Sequence, residues 1–266
     1  MIIERVERRA LGAIEFVDAL TGARVRHALK VQANALRLTL NPSWLYVIRD
    51  ADGLTAHTEA FEAPPETPAF QSLTFPLTVS DPQRHYLARG ANVKLPRKNQ
   101  PMSDFDSLLC PVQIQVYPSM GRPVEAYWAS TRVFVYTIVS GKRVGVANAL
   151  LKLTPSLPSA TTVRALTDSN GEALLAVIGV PPVLPSGGAA DGDPDVVYTR
   201  QFSAALLVAL DDDVVRRGDV APLPLPNPDL IEERLAANNL SVRKINPPAF
   251  EMSAGITQRV EVEVTL

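Results

Sequence analysis

Apolar and polar positions alternate along much of the chain. The run Arg259-Val260-Glu261-Val262-Glu263-Val264-Thr265-Leu266 is the clearest case. A period of two puts Val260, Val262, Val264 and Leu266 on one face and the polar residues on the other. Leu36 to Leu40 and Val112 to Tyr117 alternate in the same way, and Ala13 to Asp18 does so more roughly. These runs predict half-buried strands in sheets with one face in water. Further strands are expected at Trp44 to Arg49, Leu73 to Val79, Val93 to Leu95, Arg132 to Val139, Leu150 to Thr154, Thr162 to Leu166, Ala173 to Ile178 and Phe202 to Leu210. The last two are almost continuously apolar, as in strands covered on both faces. Phe202 to Leu210 is rich in Ala and Leu and is also compatible with helix; strand is preferred.

Turn chemistry separates these runs. Gly22 and Gly141 close glycine turns, and Asp52-Gly53 and Asn170-Gly171 are pairs that tolerate positive φ. One segment reads as helix, an insertion over 227–239 with its helical turns near 228–238. Asn227 is placed to cap it, Pro228 suits the first turn, and Asp229, Glu232 and Glu233 favour the positive end of the dipole. Many short strands with regular turn signals predict an all-β chain of antiparallel sandwiches or a barrel.

Composition narrows the picture. The 266 residues include 23 prolines and a single cysteine. Interior proline costs a helix about 3 kcal/mol, so a helical bundle is excluded. One thiol excludes a disulfide framework and any zinc site needing two thiolates. The 26 Lys+Arg nearly balance 28 Asp+Glu, leaving no net field to attract nucleic acid or an anionic membrane. No apolar stretch approaches the roughly 20 residues of a transmembrane helix, and charges interrupt the first ten residues, so no signal-peptide core is present. Synthesis in the cytoplasm is the expectation. Prolines gather at strand ends and in loops, among them a long Pro/Gly-rich loop over 181–195. A Pro- and Gly-containing break at Pro118 to Pro123 divides the chain into an N-terminal β-domain, 1–121, and a C-terminal one, 122–266.

The two halves look alike. Thr21-Gly22-Ala23-Arg24-Val25 and Ser140-Gly141-Lys142-Arg143-Val144 each follow an apolar strand and lead into another. Their offset, about 119 residues, reads as a tandem repeat. The second copy continues through Val144, Ala147, Thr167, Asp168 and Gly171. Over about 130–180 this pattern resembles the transthyretin-like, carboxypeptidase-regulatory-like (Ig-like) β-sandwich family. The resemblance implies a turn motif that sets a sandwich edge and carries no chemistry: Asp168 accepts backbone N–H groups and Gly171 supplies positive φ. That family serves as folding aids, adhesive modules and spacers. A looser resemblance is carried by the order of Leu77 to Pro82, Tyr86 to Arg89, Val93 to Arg97 and Val116 to Ser119, followed by the second domain. It is similar to accessory proteins of phage-tail-like contractile injection particles.

Candidate chemistry is sparse. His27, His57 and His85 match no metal-ligand spacing and read as surface or turn residues. Cys110, between apolar residues and Pro111, reads as a buried inert thiol. Asp191, Asp193 and Asp195 have the spacing of a calcium loop, but Val196 and Phe202 stand where an EF-hand needs Gly and Glu. Asp211-Asp212-Asp213 reads as a solvated turn. No catalytic residue, cofactor or metal is assigned, and no enzyme activity is expected. The reading is a non-enzymatic structural or docking protein of a larger assembly, one that contacts other protein subunits and copies of itself. A baseplate, cap or fibre position in a contractile injection particle fits it, and the alternative is a ligand- or glycan-binding sandwich module.

Overall fold

The computed structural model describes residues 9–60, 65–98, 106–157, 161–180, 201–220 and 224–266. The chain is all-β with several largely antiparallel sheets and short helices, and it divides into two compact units. The first comprises residues 1–18, 22–82 and 88–116; the second takes 19–21, 83–87 and 117–266.

The first unit contains β1 (Gly12–Asp18), β2 (Lys30–Gln32), β3 (Leu36–Leu40), β4 (Leu45–Ala51), α1 (Thr55–Glu59), β5 (Leu73–Ser80), β6 (Arg89–Leu95) and β7 (Val112–Val116). They form two sheets, of order β3-β4-β1-β7 and β2-β5-β6. The alternation seen in the sequence becomes burial: Phe75, Leu77 and Val79 of β5 face in, as do Ala91, Val93 and Leu95 of β6. Tyr46 joins the sheets. Its buried hydroxyl donates to the Leu29 carbonyl at 2.7 Å and accepts from the Leu29 N–H at 2.8 Å, and Phe16 meets its ring edge-on at 5.2 Å.

The second unit contains β8 (Ala129–Val139), β9 (Lys142–Ala147), β10 (Leu150–Pro155), β11 (Val163–Leu166), β12 (Glu172–Val177), β13 (Gln201–Asp211), β14 (Arg216–Arg217), α2 (Pro228–Ala236), β15 (Val242–Ile245), β16 (Phe250–Ser253) and β17 (Thr257–Glu263). One sheet runs β11-β10-β13-β15 with β16 also on β13; the other runs β12-β8-β9-β14 with β17 also on β8. A single apolar cluster between them takes Val133 and Val135 from β8, Leu151 from β10, Leu174 from β12 and Val208 from β13, as a β-sandwich requires. Phe202 to Leu210 is strand, with Leu206 and Val208 fully buried. The helix α2 lies where its caps predicted, although Asn227 makes no side-chain cap bond. Ile231 and Leu235 pack it against Leu150, Leu166 and Ala209.

The two units share their wiring. In each, the first strand pairs antiparallel with a middle strand on one edge and parallel with the last strand on the other. Ile14 lies between Tyr46 and Val112; Val133 lies between Ala173 and Val260. In each, β2–β5–β6 or β10–β13–β15 forms the second sheet. The purely antiparallel expectation is thus corrected by one parallel pair per unit. The units also differ: β3 joins the sheet of β4, whereas β11 stays on β10.

The hairpin β8–β9 turns on Ser140 and Gly141, both at positive φ (49° and 76°), a two-residue turn whose twist matches the strands. Farther along β9, a Cβ on Gly145 would lie 1.9 Å from the Asn170 carbonyl oxygen, a backbone atom that cannot swing away. Gly145→Ala is therefore expected to destabilise the second unit by about 3 kcal/mol or more. Gly141→Ala, with open space around it, should cost only about 1 kcal/mol for its φ. Urea midpoints of the two variants check the order.

Candidate ligand pocket and interaction surfaces

The five residues singled out by the sequence lie along β9 and in the turn into β12, which meets the end of β9 away from its hairpin with β8. Asp168 Oδ1 accepts from Asn170 N at 2.8 Å and Glu172 N at 3.0 Å, and the Asp168 carbonyl accepts from Gly171 N at 3.0 Å. Gly171 sits at φ 78°. Thr167 is buried; its hydroxyl donates to the Val146 carbonyl at 2.7 Å and accepts from Ala149 N at 2.8 Å, tying this turn to β9. Ala147 is fully buried, and Val144 stands half-buried opposite Thr137. The cluster holds backbone in register and presents no reactive group.

The same turn recurs in the first unit, where no glycine marks it. Asn41 Oδ1 accepts from Ser43 N at 3.0 Å and Leu45 N at 2.9 Å, and the Asn41 carbonyl accepts from Trp44 N at 3.0 Å. Trp44 occupies the position of Gly171 and adopts φ 63°. A bulky residue in the left-handed region is strained by about 1–2 kcal/mol. Strand pairing also aligns the hairpins. Val17 faces Arg24 as Tyr136 faces Gly145, so the matched Arg-Val pairs are displaced by two residues and Arg24 takes the place of Gly145.

That exchange changes the surface. In the second unit a Cβ on Gly171 would lie 2.7 Å from the Gly145 Cα, so the turn packs directly on the strand. In the first, the Arg24 guanidinium spans the gap, with Nε on Glu15 Oε1 and Nη1 on the Ser43 carbonyl at 3.1 Å. Glu15 is buried, and its other oxygen accepts from Gln113 Nε2 at 3.1 Å. Beside them opens a cavity of about 420 Å³ lined by Glu15, Arg24, Arg26, Ser43 and Trp44. Arg26 is exposed and has no hydrogen-bond or ion-pair partner among the described residues.

Other candidates move from their expected settings. His27 Nε2 lies 3.2 Å from Asp81, and His57 is buried on α1 rather than at the surface, because α1 packs beside β4. Cys110 is half-buried. Asp212 and Asp213 lie exposed in a turn, as expected, whereas Asp211 is buried and bound through both carboxylate oxygens by Arg234 Nη1 of α2, at 2.9 and 2.7 Å. Asp191, Asp193, Asp195 and the loop over 181–195 lie outside the described residues. Among the described residues no group of His, Cys, Asp and Glu is arranged to hold a metal ion, and no helix is long and apolar enough to cross a membrane.

A second surface lies at one end of the second unit. Tyr127 precedes β8, Ile178 follows β12 and Ile256 precedes β17. Pairing of Ala129 with Val177 and a 3.1 Å bond from Ser130 N to the Ile256 carbonyl bring them to the same end. They are 63%, 38% and 51% exposed. Among the described residues strand β17 pairs with no strand but β8, and no described strand covers its outer edge.

No protein-family model matches the sequence, and no curated protein matches it. Among solved structures, a leucine-rich repeat protein from Bacteroides thetaiotaomicron VPI-5482 shows 7% identity and a TM-score of 0.20, covering 99% of this chain and 25% of that one. The chain thus spans about a quarter of that protein's length, and a likeness of this size carries no argument about fold or function.

Two measurements probe the local chemistry. Asp168→Ala and Asn41→Ala each remove two accepted N–H bonds from one unit and should each cost about 1 kcal/mol in denaturant unfolding. Burial, aided by the Arg9 charge and opposed by the Pro65 carbonyl, lowers the His57 pKa from 6.5. The unfolded chain then binds the extra proton more readily, so this group's contribution is lost as pH falls below about 6.5. Thermal melts from pH 7.5 to 5 should show that loss, and His57→Gln should flatten it.

Proposed function

We propose that this protein is a non-enzymatic structural or docking component of a larger protein assembly, built from tandem β-sandwich domains of the Ig-like, transthyretin-like kind. Shared wiring of the two units and the Thr167-Asp168-x-x-Gly171 turn support the family part of this reading. The observation that carries the docking part is the exposed end formed by Tyr127, Ile178 and Ile256. Large apolar side chains grouped on a soluble surface mark places where other chains bind, and Tyr is favoured at such interfaces. The edge of β17, unpaired among the described residues, offers strand addition beside it. The assembly we favour is a phage-tail-like contractile injection particle, with this chain at a baseplate, cap or fibre position in several copies.

The test is purification of the endogenous protein from its native host. A fixed stoichiometry with particle subunits is expected. Tyr127→Ser combined with Ile256→Ser should release the chain from the particle while leaving its melting temperature within a few degrees, since both side chains are largely solvated. A chain that sediments as a free monomer in native extracts overturns the proposal.

A second reading, a ligand- or glycan-binding module, is favoured by the Trp44 cavity of the first unit.

A further inference from the structure

We infer that the cavity at Trp44 binds an acidic sugar, with the indole against the ring face and Arg26 on the carboxylate. This rests on the ligand-binding reading and is independent of the docking surface in the second unit.

Three observations converge on it. The first is the strained residue. The same Asx turn in the second unit uses Gly171, which any left-handed position accepts without cost. The first unit keeps Trp44 at φ 63°, where glycine would be favoured, and backbone strain of this kind persists chiefly where a side chain is needed in place. The second is space. The Gly145–Gly171 approach leaves no room in the second unit, whereas in the first the Arg24 side chain bridges Glu15 and the Ser43 carbonyl and an open depression of about 420 Å³ lies beside it.

The third is charge. Arg24 is neutralised by Glu15, whose carboxylate is further occupied by Gln113. Of the two arginines that line the cavity, Arg26 is the one without a hydrogen-bond or ion-pair partner among the described residues. One free guanidinium suits a monoanionic carboxylate, which it can hold with two parallel N–H bonds. A phosphate dianion would leave excess charge beside the buried Glu15 carboxylate. Trp44 is the one apolar member of the lining, and the remaining four residues are polar or charged. An aromatic acid would require a closed apolar slot. A sugar ring needs one flat apolar face and a polar rim for its hydroxyls, which is what these five residues supply.

Calorimetric titration of the full chain tests this with glucuronate, glucose, inorganic phosphate and benzoate as probes. Glucuronate is expected to bind saturably and to weaken with added salt, with the other three at least about tenfold weaker. Arg26→Ala should weaken glucuronate at least about tenfold. Trp44→Gly, which installs the second unit's residue and removes the strain, should abolish binding while the protein still melts cooperatively near the parent temperature. Glucose, phosphate or benzoate binding as tightly as glucuronate overturns the acidic-sugar assignment but keeps a ligand site. Unchanged glucuronate affinity in Arg26→Ala overturns the assigned role of Arg26. Binding by none of the four probes overturns the ligand-binding reading itself.

Discussion

The pairing of first strand with last organises each half of this protein. β1 and β8 are the strands around which their sheets are built, and each is flanked antiparallel by a middle strand and parallel by the final one. Without the parallel partner, Val133 and Val135 would lie beside an open edge of backbone donors and acceptors, and the sandwich would lose one wall of its apolar cluster. The remaining strands can vary more freely, as β3 and β11 do in choosing different sheets.

Within that shared frame, two positions decide whether a surface is closed or open. Gly145 and Gly171 allow backbone to meet backbone, and the second unit is sealed there. Arg24 and Trp44 stand at the matching positions, and the Arg24 side chain bridges the same turn and its strand. The hydrogen-bond pattern of the turn is unchanged, because Asn41 and Asp168 both offer a side-chain oxygen to the same two N–H groups. Architecture is conserved by the polar side chain that caps the turn, while surface chemistry is set by what occupies the left-handed position.

Much of the fold was legible in period-two runs. Val260, Val262 and Val264 alternate with charges, and β17 follows them. Asp168-x-x-Gly171 announced its turn because glycine marks positive φ. The equivalent Asn41-Pro42-Ser43-Trp44 gave no such mark, since tryptophan there runs against local preference and is held by tertiary structure. His57 was misjudged for a related reason: its burial depends on α1 packing beside β4, a contact that no local pattern encodes. The Arg-Val repeat marks hairpins that follow the first strand of each unit, but the shorter hairpin of the first unit shifts its register by two residues. The parallel closure was invisible, because alternation specifies which face is buried and says nothing about strand direction.

Closure by the last strand also sets an order of events during synthesis. The sheet of the second unit begins with β8 and is completed only by β17, roughly 130 residues later. At about 5–20 residues per second, the growing chain carries the unpaired edge of β8 for on the order of ten seconds. During that interval that edge is open to a β17 segment from another copy; once its own β17 emerges, tethering gives the chain's own strand the higher effective concentration. Closure therefore depends on the last strand to be made, and the β8 sheet of the second unit is complete only when that strand has docked on it.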